Sequence, residues 1–263
     1  YDHGEENSEK LILSLIKAAK LKIHTRLIYH NPADDLGIVD YLQVYMDDLC
    51  FESVSEYVRD YFSYKKISWI EGTTYGQQHN KFLLINYHSG NVADYSNSVY
   101  ISTANVDPHN NYGRPTGREW VQSGIMISGN YGLYTAYERY FEKFWNNNTN
   151  RSAFWNAVRY EGEYNHQSEN LNYTDDVFSA YFFPIPITFY ESSWDTIYNP
   201  VAKLINEIKN REYESNLKIN MYHLKTDTFG LRLYNELKMI NNINIESAIH
   251  KDSKNGAKNL FIQ

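Results

Sequence analysis

The sequence predicts an α/β fold in which a mixed sheet is flanked by helices. Residues 10–20 carry apolar side chains at helical spacing, and residues 21–29 then alternate as a strand that a proline at position 32 ends. A helix that leads directly into a strand, with a loop at the strand's carboxyl end, is a building unit of α/β folds. From residue 196 the order helix, strand, helix, strand begins again, which predicts a second, related repeat that is incomplete.

The remaining elements follow from the same periodicities. Predicted helices cover residues 38–49, 54–62, 131–145, 196–209 and 229–240. Predicted strands cover residues 66–71, 82–85, 99–101, 120–127, 217–224 and 243–249. An aromatic stripe at helical spacing within 131–145 predicts core packing of Tyr134, Tyr137, Phe141, Phe144 and Trp145.

Three domains are expected from this order and from local composition. Residues 1–150 form the first repeat, residues 151–190 form an Asn-rich linker and an extended lead-in segment, and residues 191–263 begin the second repeat.

Composition limits the classes of partner. The formal net charge of −7 and the pI near 5.7 argue against a broad basic nucleic-acid groove, although local phosphate recognition stays open. Protonation of all nine histidines would change −7 to +2, so an acidic compartment would alter the surface strongly. Cys50 is the only cysteine, which excludes an intrachain disulfide framework.

Membrane insertion and glycosylation are also addressed by the sequence. No run approaches the ~20 apolar residues of a transmembrane helix, so no transmembrane segment is expected. Three sequons make Asn147, Asn150 and Asn172 candidate glycosylation sites, although such triplets also arise by chance in an Asn-rich chain.

The strongest chemical motif is His79-x-Lys81, which opens the apolar run Phe82 to Ile85. At the period of two of a strand, His79 and Lys81 point to the same side. A lysine supplies a fixed positive charge and a histidine attacks or transfers a proton, so the pair predicts a site for a phosphoryl group. No metal is expected, because paired Cys/His spacing is absent and Lys81 would repel a cation.

Polar residues follow the next predicted strand. Ser102 and Thr103 are small residues that let the backbone approach a ligand, and Asn105 comes shortly after them. A Gly/Pro loop then leads to Glu119 and a third apolar strand. A lone histidine at a strand start is more often structural, but its combination with these residues favours catalysis.

This pattern resembles the phospholipase D superfamily, whose signature is His-x-Lys-x4-Asp followed by Gly-Ser-x-Asn and an acidic residue before the next strand. His79 and Lys81 match, Asn86 stands at the Asp position, residues 102–105 stand for Gly-Ser-x-Asn, and Glu119 fits the acidic position. Stretches 141–145, 171–186 and 221–224 are most similar to the secretory, lysosomal branch of 5′→3′ exonucleases on single-stranded nucleic acid.

The resemblance implies a fold and a mechanism. The fold is an αβα sandwich of two repeats whose HxK motifs meet at one active site. One motif histidine forms a phosphohistidine and the other protonates the leaving oxygen, without metal or cofactor. His79 would be one of these, Lys81 and Asn105 would hold phosphate oxygens with Ser102 and Thr103 beside them, and Glu119 would orient a histidine.

Two departures from the family pattern keep alternatives open. Asn86 removes a negative charge, which we expect to lie near Lys81 and His79 and to affect their pKa values. No second HxK occurs at the family position, since His223-x-Lys225 lies on a predicted opening strand. A missing C-terminal part, a partner chain or a homodimer would then supply the second motif.

The leading hypothesis is a phosphodiesterase acting as a nuclease on single-stranded nucleic acid, in the secretory pathway, the lysosome or outside the cell. Alternatives are a phospholipase D or transphosphatidylase acting on phospholipid head groups, and a catalytically inactive binding relative. The aromatic residues Trp69, Tyr75 and Trp120 fit either bases or an apolar lipid surface, so the sequence does not separate these substrates.

Overall fold

A computed structural model describes part of the chain in two compact units, Tyr1–Phe182 and Phe183–Gln263. Helices and strands occur in both units, which confirms the mixed helix and strand class. The described residues are 13–29, 60–67, 80–86, 97–103, 123–150, 153–154, 173–182, 200–210, 215–221, 228–241 and 243–249.

The elements of each unit are named in chain order. The first unit contains α1 (13–20), β1 (Thr25–Tyr29), β2 (Phe62–Lys66), β3 (Phe82–Ile85), β4 (Ser98–Ser102), β5 (Gly124–Ser128), α2 (Tyr131–Asn146), β6 (Tyr173–Thr174) and β7 (Ser179–Ala180). The second unit contains α3 (Pro200–Lys209), β8 (Ser215–Met221), α4 (Thr228–Lys238) and β9 (Ile243–Ile249).

Strands β1 and β2 are parallel and have a helix packed on each face. One face contributes Leu27, Tyr29, Phe62 and Tyr64 to a cluster with buried residues of α1, while Ile28 on the other face packs into the cluster built on α2. Because successive strand residues point to opposite faces, alternating apolar residues can contact both helices at once. This explains why β1 is apolar at consecutive positions.

Strands β3, β4 and β5 form an antiparallel sheet in that order. Its inner face packs on α2, where Val99 lies against Leu133 and Tyr134. Phe82 contacts the aromatic stripe of the same helix, with ring centroids 5.3 Å from Tyr137. The stripe therefore packs in the core as predicted for Tyr134 and Phe144, which are buried.

Arg26 joins β1 to the last turns of α2. Its guanidinium lies 5.0 Å from the Phe141 ring centroid and 5.4 Å from that of Trp145, and it pairs with Glu142 at 2.6 Å. Stacking on two rings keeps a cation that is partly withdrawn from water in favourable contact. The stripe residues Phe141 and Trp145 thus serve an aromatic–cation contact in addition to core packing.

The second unit repeats the order of the first, helix, strand, crossover and parallel strand. Strands β8 and β9 pair in parallel, and α3 and α4 pack on one side of them, with Ile205, Ile208, Leu233 and Leu237 buried. On the other face Lys218 pairs with Glu246 at 3.3 Å. The strand predicted over 243–249 is confirmed with those bounds.

Two parts of the first unit differ from the expectation. Residue 62 was predicted to end a helix and residue 66 to begin a strand, whereas β2 runs from Phe62 to Lys66. Phe62 and Tyr64 share the face that packs on α1, and this non-local contact selects the extended conformation. The predicted helix 38–49 lies outside the described residues.

The predicted linker region also contains ordered structure. Strands β6 and β7 pair as an antiparallel hairpin, and Phe182 after them is buried in the cluster built on α2. Asp175 in the hairpin turn accepts from the backbone N–H groups of Val177 and Phe178 at 2.7 and 2.6 Å, and from the Asn130 side chain at 2.8 Å. Residues 173–182 are therefore part of the first unit.

Candidate active site

The start of β3 is held to helix α2 by the residue inside the HxK motif. Asn80 donates from its side-chain nitrogen to the hydroxyl of Tyr140 at 2.8 Å. Tyr140 is only 1% exposed, and burial raises its pKa far above the usual range for tyrosine. The hydroxyl is thus a neutral, fixed acceptor that holds the Asn80 side chain, and with it the start of β3, against α2.

Lys81 lies opposite Ser102 across the β3–β4 ladder. The Ser102 N–H donates to the Lys81 carbonyl at 2.9 Å, which extends the register beyond the pair Phe82 and Ile101. Directly opposed residues of an antiparallel pair share a face. Because Phe82 faces the core, Lys81 and Ser102 lie on the outer face of the sheet.

The ammonium group of Lys81 is partly withdrawn from water. Burial lowers its pKa below the ordinary lysine value of 10.5. A partly desolvated ammonium interacts more strongly with an anion than one in bulk water, because the effective dielectric constant is lower. The electrostatics of this position therefore favour a bound anion.

Ser102 and Thr103 connect β4 to the residue before β5. The Thr103 N–H donates to the Ser123 carbonyl at 2.9 Å, and the Thr103 hydroxyl accepts from the Ser123 N–H at 3.0 Å. The Ser102 hydroxyl donates to the same carbonyl at 3.4 Å. Both predicted substrate-binding residues therefore also hold the ends of two strands together.

The ends of three strands meet at this edge of the sheet. Lys81 precedes β3, Ser102 ends β4, and Ser102 pairs with Gly124 at the start of β5. The predicted residues His79, Asn105 and Glu119 lie outside the described residues. In the sequence, His79 lies one residue before Asn80, Asn105 lies two residues after Thr103, and Glu119 lies four residues before Ser123.

Asn86 lies at the other end of β3 from Lys81. Five residues of strand at ~3.3 Å each separate the two Cα atoms by about 17 Å. This distance exceeds the ~8 Å screening length in physiological salt, so a charge at position 86 would act only weakly on Lys81. Asn86 lies close to Tyr134, whose pKa is raised by burial and further by Glu138, and lowered by the Asn86 side chain.

The outer face of the sheet carries a tyrosine that the sequence analysis did not single out. Tyr100 is two residues before Ser102 and points to the same side. Its ring lies across Gly124, where an added Cβ would be 2.5 Å from the hydroxyl oxygen. A glycine inside an apolar strand is the signal that would have found this contact, since it often marks a close approach.

Two of the three sequon asparagines, Asn147 and Asn150, lie among the described residues, just after the end of helix α2. Asn147 is the C-cap of α2 and donates from its side chain to the Lys143 carbonyl at 2.9 Å. Asn150 accepts from the Ala153 N–H at 2.9 Å through its side-chain oxygen. Asn172 lies outside the described residues. Glycosylation of all three stays a prediction.

Metal sites and membrane spans were both sought among the described residues. Within these ranges, no three or more His, Cys, Asp and Glu side chains group as metal ligands. Over the same part of the chain, no helix has the length and hydropathy needed to cross a membrane.

No protein-family model, curated protein or solved structure matches the chain.

Proposed function

We propose that this chain is a metal-independent phosphodiesterase of the phospholipase D type, with single-stranded nucleic acid as its substrate. The observation that supports this most strongly is the pairing of Lys81 with Ser102 at an edge where three strand ends meet. From these ends the sequence continues to His79, Asn105 and Glu119, the other residues of the family pattern.

The proposed reaction has two steps. An imidazole nitrogen attacks phosphorus, the bond from phosphorus to the leaving oxygen breaks, and a second histidine protonates that oxygen. Water then attacks phosphorus and gives a proton to the second histidine, which is neutral after the first step, and the bond from phosphorus to the imidazole nitrogen breaks. Lys81 and Asn105 hold the non-bridging oxygens, whose negative charge persists throughout, and Glu119 orients a histidine.

The order of elements in the two units supports the family architecture. In both units a helix precedes a strand, and a second strand pairs with the first in parallel after a crossover. In the first unit, helices α1 and α2 pack on opposite faces of β1 and β2. A two-repeat αβα sandwich, with an incomplete second repeat in residues 191–263, accounts for both observations.

The proposal includes a second HxK motif contributed from outside residues 1–263. A continuation of the chain, a partner chain or a second copy of this chain would supply it. The proposal also places the protein in the lysosome or outside the cell, where the predicted sequons would be glycosylated. A mildly acidic compartment suits the chemistry, because histidines work as acid and base near their unperturbed pKa of about 6.5.

A phospholipid substrate is the second candidate. The outer face of β3–β5 exposes Leu83 at 48%, Ile85 at 46% and Met126 at 66%. Apolar side chains on the face that carries Lys81 suit acyl chains better than they suit a polyanion. This observation is the reason to include phospholipid in the first assay.

The test is release of nitrophenol from bis(p-nitrophenyl) phosphate between pH 4.5 and 8 with EDTA present. We expect EDTA-resistant turnover by the wild type that is abolished in His79→Ala and reduced about 100-fold or more in Lys81→Ala. Lys218→Ala is the matched control, because Lys218 is an exposed lysine of the second unit. It should retain wild-type activity.

Substrate class is then decided by comparing a 5′-labelled single-stranded oligonucleotide with phosphatidylcholine vesicles. Preferential cleavage of the oligonucleotide supports the nuclease, and preferential release of choline supports the phospholipase. Since the proposal includes a second motif from another chain or a second copy, the assay is run over a range of protein concentrations. Absence of turnover on all three substrates under every condition would leave an inactive, binding relative.

A further inference from the structure

Tyr100 lies on the same face of the sheet as Lys81 and Ser102, in the adjacent row of that face. Register pairs Ser102 with both Lys81 and Gly124, and the Tyr100 hydroxyl lies over Gly124. Adjacent strands are separated by about 4.8 Å, so the positions of Lys81 and Gly124 are about 10 Å apart with Ser102 between them. A phosphoryl group over Ser102 would be within reach of both the long lysine side chain and the tyrosine hydroxyl.

The hydroxyl is placed to bind something outside the described fold. Tyr100 is 39% exposed, and its hydroxyl makes no hydrogen bond to a residue that the structure describes. Its own cross-strand partners, Leu83 and Met126, offer no polar group that could hold it. The side chain nevertheless has a defined place, because only a glycine at position 124 leaves room for the ring.

We propose that Tyr100 is a substrate-binding residue, whose hydroxyl donates a hydrogen bond to a non-bridging oxygen of the bound phosphodiester. This inference rests on the proposed phosphodiesterase function, and it adds a residue outside the HxK and Gly-Ser-x-Asn patterns. A neutral phenol donates to an anionic oxygen without a change of its own charge. Non-bridging oxygens are anionic in the ground state and in the transition state, so the contact strengthens both equally.

Uniform binding of this kind has a kinetic signature. Removal of the contact raises KM and leaves kcat unchanged. We expect Tyr100→Phe to raise KM for bis(p-nitrophenyl) phosphate about tenfold, and to weaken competitive inhibition by inorganic phosphate by the same factor.

Gly124→Ala is the sharper variant. The added Cβ would meet the far end of the Tyr100 side chain, which can swing away, so the hydroxyl moves while the strand keeps its register. We expect KM to rise about tenfold while the melting temperature stays within a degree or two of wild type. Tyr131→Phe is the control, because Tyr131 is an exposed tyrosine on the first turn of α2.

Steady-state kinetics give kcat and KM. Isothermal titration calorimetry with inorganic phosphate gives the phosphate affinity of the same protein sample. An active wild type with unchanged KM and phosphate affinity in Tyr100→Phe and Gly124→Ala overturns the inference and leaves the proposed function intact. Phosphate binding that depends on Tyr100 in a protein without turnover supports the inference and counts against the proposed function. If kcat and the melting temperature both fall in these variants, Tyr100 has a structural role and the inference is also overturned.

Discussion

Asn80 donates to the hydroxyl of Tyr140 at 2.8 Å, and this bond connects the residue inside the HxK motif to the buried face of α2. The Asn80 side chain is therefore held by a helix residue about 60 positions further along the chain.

Removal of this hydroxyl tests the connection. Tyr140→Phe keeps the ring contacts with Phe144 and Phe182 but removes the hydrogen bond from the Asn80 side chain. We expect a loss of about 1 kcal/mol in the free energy of unfolding by urea denaturation. We also expect a several-fold fall in kcat/KM, because the Lys81 backbone is less fixed. Unchanged kcat/KM with lowered stability would show that Asn80 has no role in positioning the site.

The pH profile tests the electrostatics of Lys81. Burial lowers its pKa below 10.5, so the ammonium loses its proton at a lower pH than an exposed lysine does. Since the charged form binds phosphate, the affinity for inorganic phosphate should fall on the alkaline side before pH 10.5. Lys81→Arg should remove that alkaline limb, because arginine stays charged. Coincident limbs in the two proteins would assign the titration to another group.

Asn86→Asp introduces the acidic residue of the phospholipase D pattern and tests whether a charge at position 86 acts on Lys81. Asn86 and Glu138 both lie close to Tyr134, so a carboxylate at position 86 would add a second anion beside that hydroxyl. We expect Asn86→Asp to change kcat/KM less than twofold and to lower the free energy of unfolding by about 1 kcal/mol. A large gain in activity would mean that position 86 communicates with the site after all.

The end of α1 offers a stabilising substitution. Lys22 has a φ of 62°, and the bonds from the Ile23 N–H to the Ala18 carbonyl and from the Lys22 N–H to the Ala19 carbonyl close the helix. A residue with a Cβ is strained in this conformation and glycine is not. Lys22→Gly should raise the free energy of unfolding by about 0.5–1 kcal/mol. Lys20→Gly, within the helix, should lower it by a similar amount.

The second unit contains a carboxylate that links its two helices. Glu236 is 5% exposed, and it pairs with Lys209 of α3 and with Arg232 at 2.7 Å. The hydrogen bond from Lys209 is the main reason that its pKa is lowered from 4.5. The pairing therefore stabilises the fold above pH 4.5, and its contribution is lost as pH falls through the lowered folded-state pKa.

We expect Glu236→Gln to cost about 2 kcal/mol at pH 7, a value reduced for the partial exposure of both cations. The difference from wild type should shrink as pH falls below 4.5 through the lowered folded-state pKa of Glu236, because the wild-type carboxylate then also becomes protonated. Urea denaturation at pH 7 and at pH 3.5 measures both values. Arg232→Ala is the comparison, and it should cost less because its partner keeps Lys209.

Some elements were predictable because their signals are local. Strands β3 and β9 have the predicted bounds; β3 is a continuous apolar run, and β9 begins with apolar residues at alternate positions. Helix α2 was predicted to within a residue, since its apolar positions recur at helical spacing. Local periodicity is a property of the chain itself, so no partner needs to be known.

Other features could not be predicted because distant residues create them. The β6–β7 hairpin is held by hydrogen bonds that join Asp175 and Tyr173 to the side chain of Asn130, the N-cap of α2. Asn130 lies about 45 residues earlier in the chain. The buried side chain of Asn97 has an oxygen without a hydrogen-bond partner in the described part of the chain, and no sequence signal marks it.

The sequence by itself determined the mixed α/β class, the repeated order of helix and strand, and a motif whose charges suit a phosphoryl group. The tertiary structure decided which residues share the candidate site, since strand register sets Lys81 beside Ser102 and brings Tyr100 over Gly124. It also moved Asn86 to the far end of β3 from Lys81. The physical reason is that the sequence specifies the type of each side chain, whereas the distance between two side chains depends on the register in which the strands pair.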